Sequence, residues 1–106
     1  MIKINNRIIS KKEKYCYGMF SKGFGLMFSP RKNLVMVFKK ETRIQLHNFF
    51  VFYPLDILVL DETKKIVEIK KNFRPFTIWN AREKGKYVVE LGFPNEYQEG
   101  DVLELL

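Results

Sequence analysis

The chain has 106 residues, enough for one hydrophobic core and too few for two. Hydrophobic residues make up 46% and charged residues 29%, which excludes a disordered or low-complexity chain. The net charge is +7, and with one His and one Cys neither a metal site of clustered His and Cys nor a disulfide framework can be built.

Ile2-Lys3-Ile4 and Arg7-Ile8-Ile9 read as two short strands about an Asn5-Asn6 turn, because Asn tolerates the left-handed backbone of tight hairpins. Tyr15-Cys16-Tyr17 suits another strand. Between Gly18 and Phe28, glycines compete with the helical spacing of Phe20, Phe24, Met27 and Phe28, and the balance predicts a short helix or helical turn with a loop. Ser29-Pro30-Arg31-Lys32-Asn33 is a turn. Leu34 to Phe38 is a continuous apolar run, as in a strand covered on both faces, and residues 43–53 continue in that style. Leu55 to Leu60 and Lys65 to Lys70 form a strand pair about a polar turn at residues 61–64, although alternation in the second strand does not settle which face is buried. Pro75 breaks the pattern, Lys86 to Leu91 is a late strand, residues 95–99 suit one helical turn, and Val102 to Leu106 is a last strand. The expected fold is a single mainly β domain over residues 1–106. It is a small bent sheet or barrel of about seven or eight short strands with one or two short helical segments.

Charge is uneven along the chain. Residues 1–40 hold ten basic residues and one acid, Glu13, whereas residues 41–106 hold nine basic and eleven acidic. A basic segment attracts polyanions, and Lys11, Lys12, Lys14, Lys22, Arg31 and Lys32 are the candidate anion-binding residues. Nucleic acid or another polyanion is the corresponding partner. Two other readings need no ligand: Lys- and Glu-rich surfaces also occur in proteins from hot environments, and the acidic C-terminal strand could lie beside the basic segment and neutralise it. The lone Cys16 fits a reducing compartment and more often serves as a small buried hydrophobe than as a reactive thiol. No signal peptide is visible, and the apolar run from Phe49 to Leu60 contains Pro54 and Asp56 and falls short of the roughly 18 residues of a membrane span. A cytoplasmic location and no cofactor are expected.

Catalytic signals are weak. Gly23-Phe24-Gly25 lacks the last glycine of a dinucleotide fingerprint, where Phe28 stands, and no P-loop Lys-Ser/Thr pair follows. His47 has a side chain suited to proton transfer at neutral pH, yet a rim histidine hydrogen-bonded on a strand is the commoner role for such a residue. Asp56 is the most informative residue, because every neighbour from Phe52 to Leu60 is apolar and a buried carboxylate needs partners. It either caps backbone N–H groups at the bend after Pro54, pairs with Arg74, or forms a recessed site with His47 and Arg74. Tyr15, Tyr17, Phe20, Phe24 and Trp79 among basic residues could stack nucleobases, although aromatics at these spacings are more often core.

Gly25-Leu26-Met27-Phe28, the apolar strand after it, Pro54-Leu55-Asp56-Ile57 with Asp61, Ile66-Val67, Pro75, Tyr87-Val88-Val89-Glu90-Leu91 and Gly100-Asp101-Val102 occur in one order. Together, from about Lys14 to Leu106, they resemble the family catalogued as domain of unknown function 192. The family stretch Trp-Met-x-Asn-Thr is replaced here by His47-Asn48-Phe49-Phe50-Val51, which removes its polar pair. The resemblance implies a compact, mainly β domain with short helices and no established activity. The leading functional expectation is a non-enzymatic binding module that meets an anionic or macromolecular ligand through its basic N-terminal part. The alternatives are a small enzyme around Asp56, His47 and Arg74, and an accessory domain that pairs with a protein.

Overall fold

The computed structural model describes residues 1–17, 33–47, 53–93 and 95–106. Among these residues ten strands follow in order: β1 (Ile2–Ile4), β2 (Arg7–Ser10), β3 (Glu13–Tyr17), β4 (Asn33–Thr42), β5 (Gln45–His47), β6 (Leu55–Leu60), β7 (Ile66–Phe73), β8 (Ile78–Asn80), β9 (Gly85–Leu91) and β10 (Leu103–Leu105). They form a five-stranded sheet in the order β3-β4-β9-β6-β7, a three-stranded sheet β10-β1-β2 and a two-stranded ribbon β5-β8.

The five-stranded sheet is buried on both sides. One face carries Leu34, Met36, Leu55, Ile57, Val59, Phe73 and Val88, and is covered by Ile44 and Leu46 with the partly buried Trp79 and Ala81 of the ribbon side. The other carries Val35, Leu58, Leu60, Ile66, Val89 and Leu91, and is covered by Ile2, Ile4, Ile9 and Leu103. Strands walled on both sides need apolar residues at successive positions, which is why β4, β6 and β9 read as continuous greasy runs. The imperfect alternation of β7 has a local cause. Leu60 pairs with Ile66 but Val59 pairs with Glu68, so Val67 is the extra residue of a bulge and the facing pattern changes phase there.

Turn chemistry follows the sequence at two hairpins. Asn5 and Asn6 have φ of 49° and 65°, the left-handed pair that a two-residue hairpin turn between twisted strands requires. At the β6–β7 turn the Asp61 carboxylate accepts the backbone N–H groups of Thr63 and Lys65, at 2.9 and 3.1 Å. A third turn is strained. Phe76 follows Pro75 with φ of 62°, a conformation that costs an aromatic L-residue about 1–2 kcal/mol.

Three expectations change. Among the described residues β3 and β7 are the outermost strands of this sheet and do not pair with each other, so it is a layered sheet and not a closed barrel. No helix occurs among the described residues, and the helical segment expected between Gly18 and Phe28 lies outside them. The helical turn expected at residues 95–99 is absent because Asn95 is engaged elsewhere. Its Nδ2 donates to the Ile9 carbonyl at 2.8 Å and its Oδ1 accepts the Glu96 N–H at 2.9 Å, pinning the segment along β2 as irregular chain. Strand β8 was not expected, since Pro75 and the flanking polar residues masked so short an element.

Gly85 permits the closest approach in this packing: a Cβ there would stand 2.5 Å from Val59 Cγ1, a branched side chain in the buried core, and 3.3 Å from the Leu60 carbonyl oxygen. Gly85→Ala should therefore lower stability by about 1–3 kcal/mol, measured by chemical denaturation, and Val59→Ala in the same chain should recover part of that loss.

Candidate functional site

Asp56 sits where β6 and β7 fall out of register. Leu55 pairs with Phe73 and Ile57 with Lys70, which leaves one extra residue on β7 opposite Asp56. Asn72 takes up the excess with φ of 52°, and its freed backbone N–H donates to Asp56 Oδ1 at 2.9 Å. The second carboxylate oxygen accepts the Tyr97 hydroxyl. Lys71 Nζ lies 4.4 Å from the centre of the Tyr97 ring, so the phenol is held by a carboxylate at its oxygen and a cation at its face. Burial, together with the hydrogen bond and charge of Asp56, pushes the Tyr97 phenol well above its ordinary range. A phenol so disposed remains a donor at physiological pH and is unsuited to act as a base.

Tyr97 also lines an open cleft of about 500 Å³ with Ile4, Asn5, Arg7, Glu96, Gln98 and Asp101. Arg7, which could have received an anion there, is turned to the loop: its guanidinium donates to Asn95 Oδ1 at 3.2 Å and to the Glu96 carbonyl at 2.7 Å. The cleft is bounded by the β1–β2 turn and the segment before β10, and its charged groups are mixed.

The candidate catalytic residues come from three different places in the fold, and Asp56 is hydrogen-bonded to groups other than Arg74. Asp56 lies on β6 of the central sheet, and His47 ends β5 in the ribbon, where its backbone partner is Ile78. Arg74 is exposed, and the contacts of Asp56 run to Asn72 and Tyr97. Capping of a backbone N–H is thus the role Asp56 takes, at a bulge on the neighbouring strand instead of at the bend after Pro54.

Two further carboxylates went unnoticed in the sequence. Glu68 is buried and accepts the N–H groups of Arg82 and Glu83, both at 2.8 Å, while the Arg82 Nε approaches to 3.9 Å. It anchors the turn between β8 and β9. Glu90 is buried in β9 between Leu34 and Ile57, with no hydrogen-bond or ion-pair partner among the described residues. Burial pushes its carboxyl up from 4.5 to about 7. The signal for Glu90 was present in the same form as for Asp56, an acid inside an apolar strand.

Of the candidate anion-binding residues, Lys11, Lys12 and Lys14 are exposed at the β2–β3 corner and on the edge strand β3. Lys22, Arg31 and Lys32 lie outside the described residues. The C-terminal strand does run beside the N-terminal one, with Glu104 opposite Lys3, but it does not flank β3. Among the described residues no helix is long and apolar enough to cross a membrane, and no cluster of His, Cys, Asp and Glu could hold a metal ion.

The model of the DUF192 family, described as an uncharacterized ACR, matches residues 14–99. A UPF0127 protein of Thermococcus sibiricus is 28% identical over 92 residues, covering 83% of this chain and 59% of that protein. A second UPF0127 protein, from Pyrococcus abyssi, is 32% identical over 72 residues, covering 65% and 61%. The chain thus spans less than two thirds of the length of these curated relatives. Among solved structures, a Sinorhizobium meliloti protein described as a candidate transcription regulator superposes with a TM-score of 0.76 at 23% identity, covering 87% of this chain and 79% of that one. A protein of unknown function from Novosphingobium aromaticivorans superposes with a TM-score of 0.74 at 18% identity, covering 88% and 74%. At these identities the likeness is one of fold.

Replacing Asp56 by Ala leaves the Asn72 N–H and the Tyr97 hydroxyl without their acceptor, so the variant should lose about 1–3 kcal/mol in chemical denaturation. Tyr97→Phe should lose less. Glu90 gives a pH prediction of defined sign. The folded state holds its proton more tightly than the unfolded one, so this stabilisation is complete below pH 4.5 and is lost as the pH rises through about 7. Glu90→Gln should remove that loss, so that its stability relative to the parent protein rises between about pH 5 and pH 8, by on the order of 3 kcal/mol. Paired thermal melts across this range measure it.

Proposed function

This chain belongs to the DUF192 family, and on that premise we propose that it is a non-enzymatic binding module for an anionic macromolecule, met by the basic N-terminal part. One observation carries the reading: Glu13, Glu41, Asp56, Asp61, Glu68 and Asp101 are engaged with backbone and local groups instead of with lysines. Glu13 accepts from Ser10 and the α-amino group of Met1. Glu41 accepts the Glu62 N–H, and Asp101 the Gln98 N–H, both at 3.0 Å. Asp61 and Glu68 cap turns, and Asp56 caps the β7 bulge. Lys11 and Lys12 consequently enter no ion pair among the described residues, and the exposed Lys14 stands beside them on an edge strand. Exposed cations near one another raise the local potential and attract polyanions at low ionic strength.

The enzyme reading has less support. A pocket built on Asp56 would need that carboxylate to be available, and both of its oxygens are engaged. None of Asp56, His47 and Arg74 lines the Arg7–Asp101 cleft.

Retention on immobilised heparin tests the proposal. The parent protein should bind at about 50 mM salt and elute as salt rises, and Lys11→Ala/Lys12→Ala/Lys14→Ala should elute distinctly earlier with an unchanged melting temperature. Identical elution of the two proteins would refute a role for the β2–β3 corner.

A further inference from the structure

The cleft beside Tyr97 has walls that the fold fixes by itself. On one side stands the Asn5-Asn6 turn, set in its left-handed conformation between the paired strands β1 and β2. On the other, the turn from Gln98 to Asp101 is closed twice. The Asp101 N–H donates to the Gln98 carbonyl at 3.2 Å, and Asp101 Oδ2 accepts the Gln98 N–H at 3.0 Å. That turn is anchored to β7, because the Gly100 N–H donates to the Ile66 carbonyl at 2.9 Å and the Ile66 N–H to the Asp101 carbonyl at 2.8 Å. Arg7 is oriented by its bonds to Asn95 and to the Glu96 carbonyl, and Tyr97 by Asp56 and Lys71. Walls held in this way need no ordering when a ligand enters.

The chemistry of these walls selects the ligand. A cleft of about 500 Å³ has the size of a small-molecule site. Its lining sets one guanidinium, Arg7, against two carboxylates, Glu96 and Asp101. That balance disfavours a phosphate or another compact anion, the more so because Arg7 already donates to two oxygens of the chain. The same guanidinium disfavours a metal ion, and among the described residues no group of His, Cys, Asp and Glu could hold one. An apolar ligand would meet only the Tyr97 ring and Ile4, which is itself buried. A neutral ligand rich in hydroxyl groups matches what is there. The carboxylates accept hydroxyl protons, the further N–H groups of Arg7 donate to hydroxyl oxygens, and the Asn5 and Gln98 amides can do both. Because the Tyr97 hydroxyl is committed to Asp56, its ring is the part that a ligand can use. A flat apolar ring beside polar groups suits the C–H face of a pyranose.

We propose that this cleft binds a neutral saccharide, with the Tyr97 ring against the sugar and Arg7, Glu96, Gln98 and Asp101 on its hydroxyl groups. The site goes beyond the polyanion reading and does not rest on it, since both the surface and the charge of the ligand differ.

An NMR titration of the isotope-labelled full chain with maltose and with cellobiose, to about 50 mM, tests this, because an open cleft of this size suits millimolar binding. Backbone amides of residues 4–7 and 95–101 should shift and saturate. The side chains of Glu96 and Gln98 are exposed and carry no hydrogen bond among the described residues. Glu96→Ala/Gln98→Ala should therefore keep the parent melting temperature while binding about fivefold more weakly or worse. Tyr97→Phe retains the ring and should bind within about twofold of the parent protein. Glycine and inorganic phosphate, added at the same concentration, should leave these amides unmoved. No shift with either disaccharide, parent affinity in Glu96→Ala/Gln98→Ala, or equal shifts with glycine or phosphate would overturn the proposal. Since the sugars are uncharged, Lys11→Ala/Lys12→Ala/Lys14→Ala should bind them as the parent protein does, whatever its retention on heparin.

Discussion

The constraint on which the rest depends is the burial of the central sheet on both faces. β9 and β6 lie inside it and admit almost no polar side chain, so the chain must supply a separate layer for each face. The three-stranded sheet covers one and the ribbon side covers the other. Polar residues that enter these layers are there on strict terms: Asp56 and Glu68 are matched to backbone N–H groups, and Glu90 is accommodated by a raised affinity for its proton.

This arrangement divides the labour among the charged residues. Carboxylates hold turns and bulges together, whereas most cations are left to the solvent. A domain built so has a positive exterior whatever its evolutionary purpose, but position gives that charge a direction. The lysines near β3 lie on the outermost strand of the sheet among the described residues, and Arg43 and Arg82 flank the ribbon, whose other face packs on the core.

Much of this was legible in the sequence, and the exceptions have physical causes. The apolar runs of β4, β6 and β9 announced strands covered twice, and Asn5-Asn6 announced its turn. The alternation of β7 could not be read because a bulge at Val67 changes the facing residue. The segment from Asn95 was misread as helical because its first residue bonds to Ile9 and Arg7, contacts made across a separation no local pattern records. Asp56 was recognised as needing partners, yet one of them, Tyr97, lies 41 residues away. The nearness of Arg43 and Arg82 was hidden for the same reason: far apart in sequence, they flank the rung at which the Ala81 N–H donates to the Ile44 carbonyl.

The pairing of β1 with β10 bears on how the molecule comes into being. Ile2 lies opposite Leu105, so the layer over Val35, Leu58, Leu60 and Val89 cannot close until the last strand is available. During vectorial synthesis the growing chain would therefore carry an uncovered apolar sheet face through most of translation, with Ile2 and Ile4 already made but lacking one neighbour. Such a chain gathers its cooperativity late and folds with a high mean sequence separation between contacts.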